Sequence, residues 1–425
     1  MKTCRKRDYL SYFLLLVFPL FDMFGLSIAG TNFRLTELYI LLFSAVIIID
    51  RTRDQKMIIK KGTGYNVFLA LLTNFMVSLV GVLIWHQDVD TTFAIKYLIR
   101  NIIYILFITA CLVKKKKPLC EGDIEFLAKW TIKVSAFCFA LLFLFGNQIY
   151  MNHLIKPVDG LRVSILGVSM IRFSASTFEP GLAFLLLALP LYYFTRTYEK
   201  NKLYFWITVC LLLTTYSTTA FAVLTLNFAL LLWEKHKVTK SFITNVALSL
   251  LLIIIGVFVV FNNASIADKF WYQINKILGF FTGGKTGTLL WTSNDRLNQM
   301  QIITRHISDG NLWQIIWGRG TGEYTYYIAR IKSGIAMTNA EEAYNVYLSS
   351  LSDRGIVGLG FVAFIILDAL KGFRNSSLPI RSLKWIVLVH AIGWVIMGNF
   401  WLYTFWTAIG FMILYSKPDM EELNK

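Results

Sequence analysis

The chain has 425 residues, 56% of them hydrophobic, 16% aromatic and only 16% charged, where a soluble domain carries about 25% charge. Mean hydropathy is +0.57, and a soluble core could not hide so many apolar runs near the roughly 20 residues that span a bilayer. The formal net charge of +17 would suit nucleic-acid binding, but much of the Lys and Arg sits in short loops between apolar runs, as the positive-inside rule expects. No nucleic-acid partner is therefore expected.

No alternating ten-residue pattern points to a β-barrel. The expected fold class is an all-α polytopic membrane protein with about twelve transmembrane helices. The first apolar run, Leu10 to Ala29, follows Lys2, Arg5, Lys6 and Arg7. It is too long for the apolar part of a cleaved signal and reads as a retained first span. Further spans are expected at 36–49, 65–85, 94–113, 127–146, 174–195, 203–217, 218–233, 241–261, 345–370, 383–399 and 401–416. Both termini are then cytoplasmic. Inside loops hold Arg51, Arg53, Lys56, the run Lys114 to Lys117, Arg196, Lys200, Lys235, Lys371 and Arg374, whereas the outside turns 86–93, 217–219 and 399–401 hold no Lys or Arg.

Two stretches, 203–233 and 383–416, are too long for one span and short for two. Polar breaks at Ser217-Thr218-Thr219 and Gly398-Asn399 predict tight helical hairpins there. The cysteines Cys4, Cys111, Cys120, Cys138 and Cys210 fall in spans or predicted cytoplasmic segments, without a CxxC pair or a disulfide framework. The domain division that follows is 1–261 for the first nine spans with a smaller external loop at 147–173, 262–343 for a large external loop, and 344–425 for the last three spans and a short tail.

The large loop carries Lys269, Lys276, Lys285, Arg296, Arg305, Arg319, Arg330 and Lys332. Within it, 265–281 sets Ile266, Phe270, Trp271, Ile274, Ile277 and Leu278 on one helix side, a pattern suited to a helix lying in the headgroup plane. A second helix is predicted at 295–308, ahead of a flexible turn, Gly318-Arg319-Gly320-Thr321-Gly322.

Arginine presents a fixed fork that binds phosphate oxygens bidentately and stays charged in partly dry surroundings. Arg172 at the head of the sixth span, Arg162 in the smaller external loop, and Arg296 and Arg319 in the large one, with Glu179 two turns into the span, form a candidate site for a pyrophosphate-linked lipid. The alternative for each is a headgroup anchor or a solvated loop charge. Lys96 and Arg100 share a helix face at i,i+4; they complete the anion site or snorkel to headgroups. Glu341 and Glu342 stand just before the tenth span. Either could act as a base on a sugar hydroxyl, or interact with the helix dipole. The five histidines show no metal-ligand spacing, so neither metal nor cofactor is expected.

Trp317-Gly318-Arg319-Gly320-Thr321-Gly322, then Glu342-Ala343-Tyr344-Asn345-Val346-Tyr347-Leu348, then Asp353-Arg354-Gly355-Ile356-Val357-Gly358-Leu359, resemble in order and spacing the signature region of the Wzy-type O-antigen polymerase and O-antigen ligase superfamily. Its members show a GxGxG element followed by an HNxYLxxLxxxGxxGL element, after a large periplasmic loop. Ser293-Asn294-Asp295-Arg296 is similar to the family's SxR element, and Arg172 through Gly181 to its Arg-led approach to a span. The resemblance covers roughly 160–370. One departure matters: the ligases carry His where this chain has Tyr344, which favours a polymerase over a ligase and leaves the base between Glu341 and Glu342.

The resemblance implies a metal-independent glycosyltransferase of GT-C-like architecture, at the periplasmic face of the bacterial inner membrane. A hydroxyl of one undecaprenyl-pyrophosphate-linked repeat unit would attack the anomeric carbon of the growing chain, with undecaprenyl pyrophosphate leaving. Tyr344 and Asn345 would belong to the substrate site. The implied partners are the undecaprenyl-pyrophosphate-linked oligosaccharide, the lipid bilayer and a chain-length regulator protein. The competing readings are an O-antigen ligase and a lipid-linked oligosaccharide flippase or transporter.

Overall fold

A computed structural model describes residues 9–20, 25–28, 31–53, 64–84, 91–114, 119–151, 162–165, 168–171, 182–215, 217–234, 244, 291–324, 326–327, 345–395, 397 and 400–415. The chain divides into two units, one of residues 1–127 and 298–425 and the other of residues 128–297. The predicted boundaries of the large loop, and the interfacial helix predicted at 265–281, lie outside the described residues.

In chain order the elements begin with α1 (Tyr9–Val17), β1 (Gly25–Ile28), β2 (Thr31–Arg34), α2 (Leu35–Arg53), α3 (Tyr65–Ile84) and α4 (Thr91–Val113). Next come α5 (Glu121–Met151), β3 (Arg162–Ile165), β4 (Val168–Ile171), α6 (Ala183–Arg196), α7 (Tyr198–Thr214) and α8 (Thr218–Trp233). The last are α9 (Trp291–Ser308), α10 (Leu312–Trp317), α11 (Val346–Leu370), α12 (Leu378–Gly393) and α13 (Tyr403–Tyr415). Among the described residues three helices are long and apolar enough to cross a membrane: α3, the Ala94–Val113 part of α4, and α11. The architecture is α-helical and consistent with a membrane protein.

The predicted first span, 10–29, is not one helix. α1 has 9 residues and reaches about 14 Å, against a hydrocarbon core of roughly 30 Å. Pro19 accounts for the stop, because it lacks an amide hydrogen and its ring collides with the preceding turn. The chain then forms an antiparallel hairpin in which Gly25 faces Arg34 and Ile28 faces Thr31. The first predicted helical break does occur: α7 ends at Thr214 and α8 begins at Thr218, with the Ser217 and Thr219 hydroxyls 2.6 Å apart. α12 and α13 are separate helices, while Gly398-Asn399 lies outside the described residues. Cys120 is disulfide-bonded, a link that its sequence spacing does not reveal, whereas Cys111, Cys138 and Cys210 form no disulfide.

The first unit is organised around α4, which packs on α2, α3 and α13. Its core is aromatic: Tyr104 stacks on Trp401 at 5.6 Å and on Trp406 at 5.3 Å, and Phe400 meets Trp401 edge-on at 4.7 Å. α11 packs on α3, α10 and α12. In the second unit α6 is buried along its whole length. There Arg196 pairs with Glu234 at 3.0 Å and donates to Asn227 Oδ1 at 2.6 Å, tying α6 to the end of α8.

Candidate functional site

Among the described residues of the first unit, charged side chains gather where α11 breaks. Gly355 has φ +66°, ψ −162° inside the helix, a region open to glycine and barred to most side chains. Opposite stands α10, started by a capping box in which Asn311 accepts from the Gln314 amide at 3.0 Å and Gln314 accepts from the Asn311 amide at 3.1 Å. Gly318, at φ +80°, ends it. The glycine-rich turn then runs along the break: the Arg319 N–H donates to the Ser352 carbonyl at 3.0 Å and the Gly320 N–H to the Asp353 carbonyl at 2.9 Å. The expected flexible turn is thus a docked one. α3 closes in as well, since a Cβ on Gly81 would sit 3.3 Å from the Gly320 Cα.

Two sets of side chains flank this junction. On one side the Asp353 carboxylate accepts the Tyr324 N–H at 2.9 Å. The Ser352 hydroxyl donates to Glu323 Oε2 at 2.6 Å, and Glu323 Oε1 lies 2.5 Å from His306 Nε2. The Arg319 guanidinium reaches the same imidazole, with Nη1 at 2.7 Å from Nε2 and 3.2 Å from Nδ1, and its Nη2 donates to the His306 carbonyl at 2.9 Å. Tyr327 stacks on the imidazole at 3.6 Å. Beneath them Ile303 and Tyr324 form a small apolar core.

On the other side Arg354 is 2% exposed. Its Nη1 donates to Asn74 Oδ1 and to the Tyr97 hydroxyl, and its Nη2 to the Ser350 hydroxyl at 2.7 Å. The guanidinium carbon lies 5.0 Å from the Tyr97 ring centre and 5.9 Å from that of Phe400. A cation buried at this depth is expensive unless its hydrogens are satisfied; neutral oxygens serve Nη1 and Nη2 and ring faces add cover, while Nε is buried with no hydrogen-bond partner. An ionisable group within a span marks a functional site by default.

The predicted site residues distribute unevenly. Arg319 lies at the junction. Asn345 caps α11: its Oδ1 accepts the Leu348 N–H at 2.9 Å and its Nδ2 donates to the Val395 carbonyl at 2.8 Å. Arg100 faces Glu37 of α2, 3.4 Å away, and Lys96 is half-buried on α4. The i,i+4 pair therefore gains a carboxylate partner at one of its two members. Arg162, opposite Ile171 in the β3–β4 hairpin, and Arg296, near the start of α9, both belong to the second unit. Arg172, Glu179, Glu341, Glu342 and Tyr344 lie outside the described residues. Among the described residues no group of His, Cys, Asp and Glu side chains could hold a metal ion.

No family model matches the chain, and no curated protein matches it. The site has therefore to be read from its own chemistry.

Sequence inspection missed His306, Glu323, Asp353 and Arg354 as a group. His306 and Glu323 are 17 positions apart, a separation with no helical or strand periodicity to join them. Asp353-Arg354 did carry a signal of its own: two adjacent ionisable residues inside the apolar run 345–370, where each one is costly.

Proposed function

We propose that the chain is a polymerase of O-antigen or a related surface polysaccharide: a glycosyltransferase that moves the growing glycan from undecaprenyl pyrophosphate to the next lipid-linked repeat unit. One observation carries this reading. The separate pieces of the family-like signature, Gly318 to Gly322 and Asp353 to Gly355, meet backbone to backbone, with Arg319 bonded to Ser352 and Gly320 to Asp353. That contact gives the two segments one place in the fold, as a shared signature would require.

In this reading the protein sits in the bacterial inner membrane with about twelve spans, GT-C-like architecture and both termini cytoplasmic. The 262–343 loop is periplasmic. Arginine side chains of the external segments, Arg319 first among them, grip the diphosphate, because the departing pyrophosphate gathers negative charge that prepositioned cations stabilise. The acceptor hydroxyl attacks the anomeric carbon and undecaprenyl pyrophosphate leaves.

The test is direct. Purified protein in detergent, given lipid-linked repeat units, should convert them to a ladder of longer glycans. Arg172→Ala and Arg296→Ala should each abolish the ladder at unchanged protein level. Products no longer than the input would refute the polymerase, since detergent removes any need for transport.

A further inference from the structure

We propose that His306 is the group that accepts the acceptor hydroxyl's proton, held by Glu323 and flanked by Arg319. The inference rests on the polymerase reading and deepens it, placing the base at a histidine of the junction.

A side-chain base needs an orienting partner, and that partner needs to be fixed in turn. His306 has both. Glu323 Oε1 lies 2.5 Å from Nε2, and Glu323 Oε2 accepts from the Ser352 hydroxyl at 2.6 Å. The side chains of His306 and Glu323 are 12% and 5% exposed, so the carboxylate is shielded while the imidazole keeps an edge to the surroundings. Tyr327, stacked at 3.6 Å, fixes the ring plane.

The tautomer follows from the partners. A carboxylate only accepts, so Nε2 carries the hydrogen that Glu323 takes, and the lone pair falls on Nδ1. Arg319 Nη1 lies 3.2 Å from Nδ1, off the line of that lone pair. The same Nη1 is 2.7 Å from Nε2, and in this tautomer that approach sets one donor against another. Arg319 is thus held on one side by the His306 carbonyl, 2.9 Å away, and poorly matched on the other. A diphosphate offers it two anionic acceptors in the geometry its fork prefers. With the guanidinium on the diphosphate, Nδ1 keeps its lone pair beside the bound substrate.

The step balances. The acceptor O–H passes its proton to Nδ1 as its oxygen bonds to the anomeric carbon. The bond from that carbon to the pyrophosphate oxygen breaks, and its electron pair leaves on undecaprenyl pyrophosphate. The imidazolium then returns its proton to water. Among the described residues, the charged and titratable groups around the imidazole are Arg319, Glu323 and Tyr327, with Asp353 across the junction on α11 and Arg305 and Asp309 beside it on its own segment.

The test uses full-length protein in detergent and lipid-linked repeat units extracted from a strain lacking this chain. Wild type should yield the ladder, with a rate that falls as pH drops. His306→Gln, which keeps a hydrogen-bonding side chain, should lose roughly 10²–10⁴-fold in chain growth and lose the acidic fall in its residual rate. His306→Ala should be restored in part by added imidazole. A His306→Gln protein that polymerises like wild type overturns the inference and leaves the polymerase standing. Loss of activity in both variants, with the acidic fall kept and no rescue by imidazole, overturns it too, reducing His306 to a structural post. If wild type itself makes no ladder, the polymerase fails and the inference falls with it.

Discussion

Gly318 and Gly355 keep room for each other's strand of backbone. A Cβ on Gly318 would run into the peptide joining Asp353 to Arg354, and a Cβ on Gly355 would run into the Ile316 carbonyl and the Gly318 nitrogen. Both residues also have positive φ. Alanine at either position should therefore destabilise the junction by at least 1–3 kcal/mol or so from backbone strain alone, before the collision is counted. Because both changes disrupt one contact, the double variant should lose less than the sum of the singles. Gly360 is the control: a Cβ there meets nothing within 4 Å, and Gly360→Ala should gain up to about 1 kcal/mol from helix propensity. Thermal unfolding in detergent, followed by intrinsic fluorescence, ranks all four proteins.

Arg354 supports the same junction from beneath. Its fork serves Asn74, Tyr97 and Ser350 on three different stretches of chain. Lysine keeps the charge but not the planar arrangement of donors, so Arg354→Lys should still lower the melting temperature clearly. Asn74→Ala should cost about 1.5–3 kcal/mol, the usual worth of a hydrogen bond to a charged group. In the Arg354→Lys background that cost should shrink, and an undiminished cost would show that Asn74 acts through something other than Arg354.

The apolar runs were legible in the sequence because hydrophobicity and length alone mark a spanning helix. α3 and α11 lie within a residue of their predicted limits. The predicted first span exceeds α1 because Pro19 and Gly25 interrupt a run whose composition stays mainly apolar beyond them. The junction was half legible. Its glycines and Arg319 stood out as a motif, yet what they dock against is set by a kink at Gly355 that helical periodicity cannot show. The His306–Glu323–Ser352 chain was illegible, since its members come from three segments joined only by tertiary packing. Arg100 drew attention as a cation on a helix face. Glu37, its counter-ion, lies 63 positions earlier, as the numbering of the pair shows.

The ion pair in the second unit should behave symmetrically. The side chains of Arg196 and Glu234 are 0% and 1% exposed, so neither can reach water when the other is removed. Tyr192 adds a hydroxyl to Glu234 and a ring face 3.6 Å from the guanidinium. Arg196→Met and Glu234→Gln should each cost roughly 3–5 kcal/mol, the penalty of stranding one buried partner. The double variant should recover much of that loss, and a double variant as unstable as the sum would deny the coupling.

Glu37 and Arg100 should behave asymmetrically. The Glu37 side chain is fully buried, while that of Arg100 keeps 16% of its surface exposed. When Arg100 is replaced by Gln, the carboxylate remains dry and uncompensated, a situation that costs roughly 3–5 kcal/mol. When Glu37 is replaced by Gln, the long arginine stem can lift its charged head outward along apolar surface, which should hold the loss to less than about 2 kcal/mol. The melting temperature of Arg100→Gln should thus fall below that of Glu37→Gln, with the double variant lying above Arg100→Gln. The reverse order would mean that Arg100 is not held by Glu37, and would return it to the list of cations available to a phosphate.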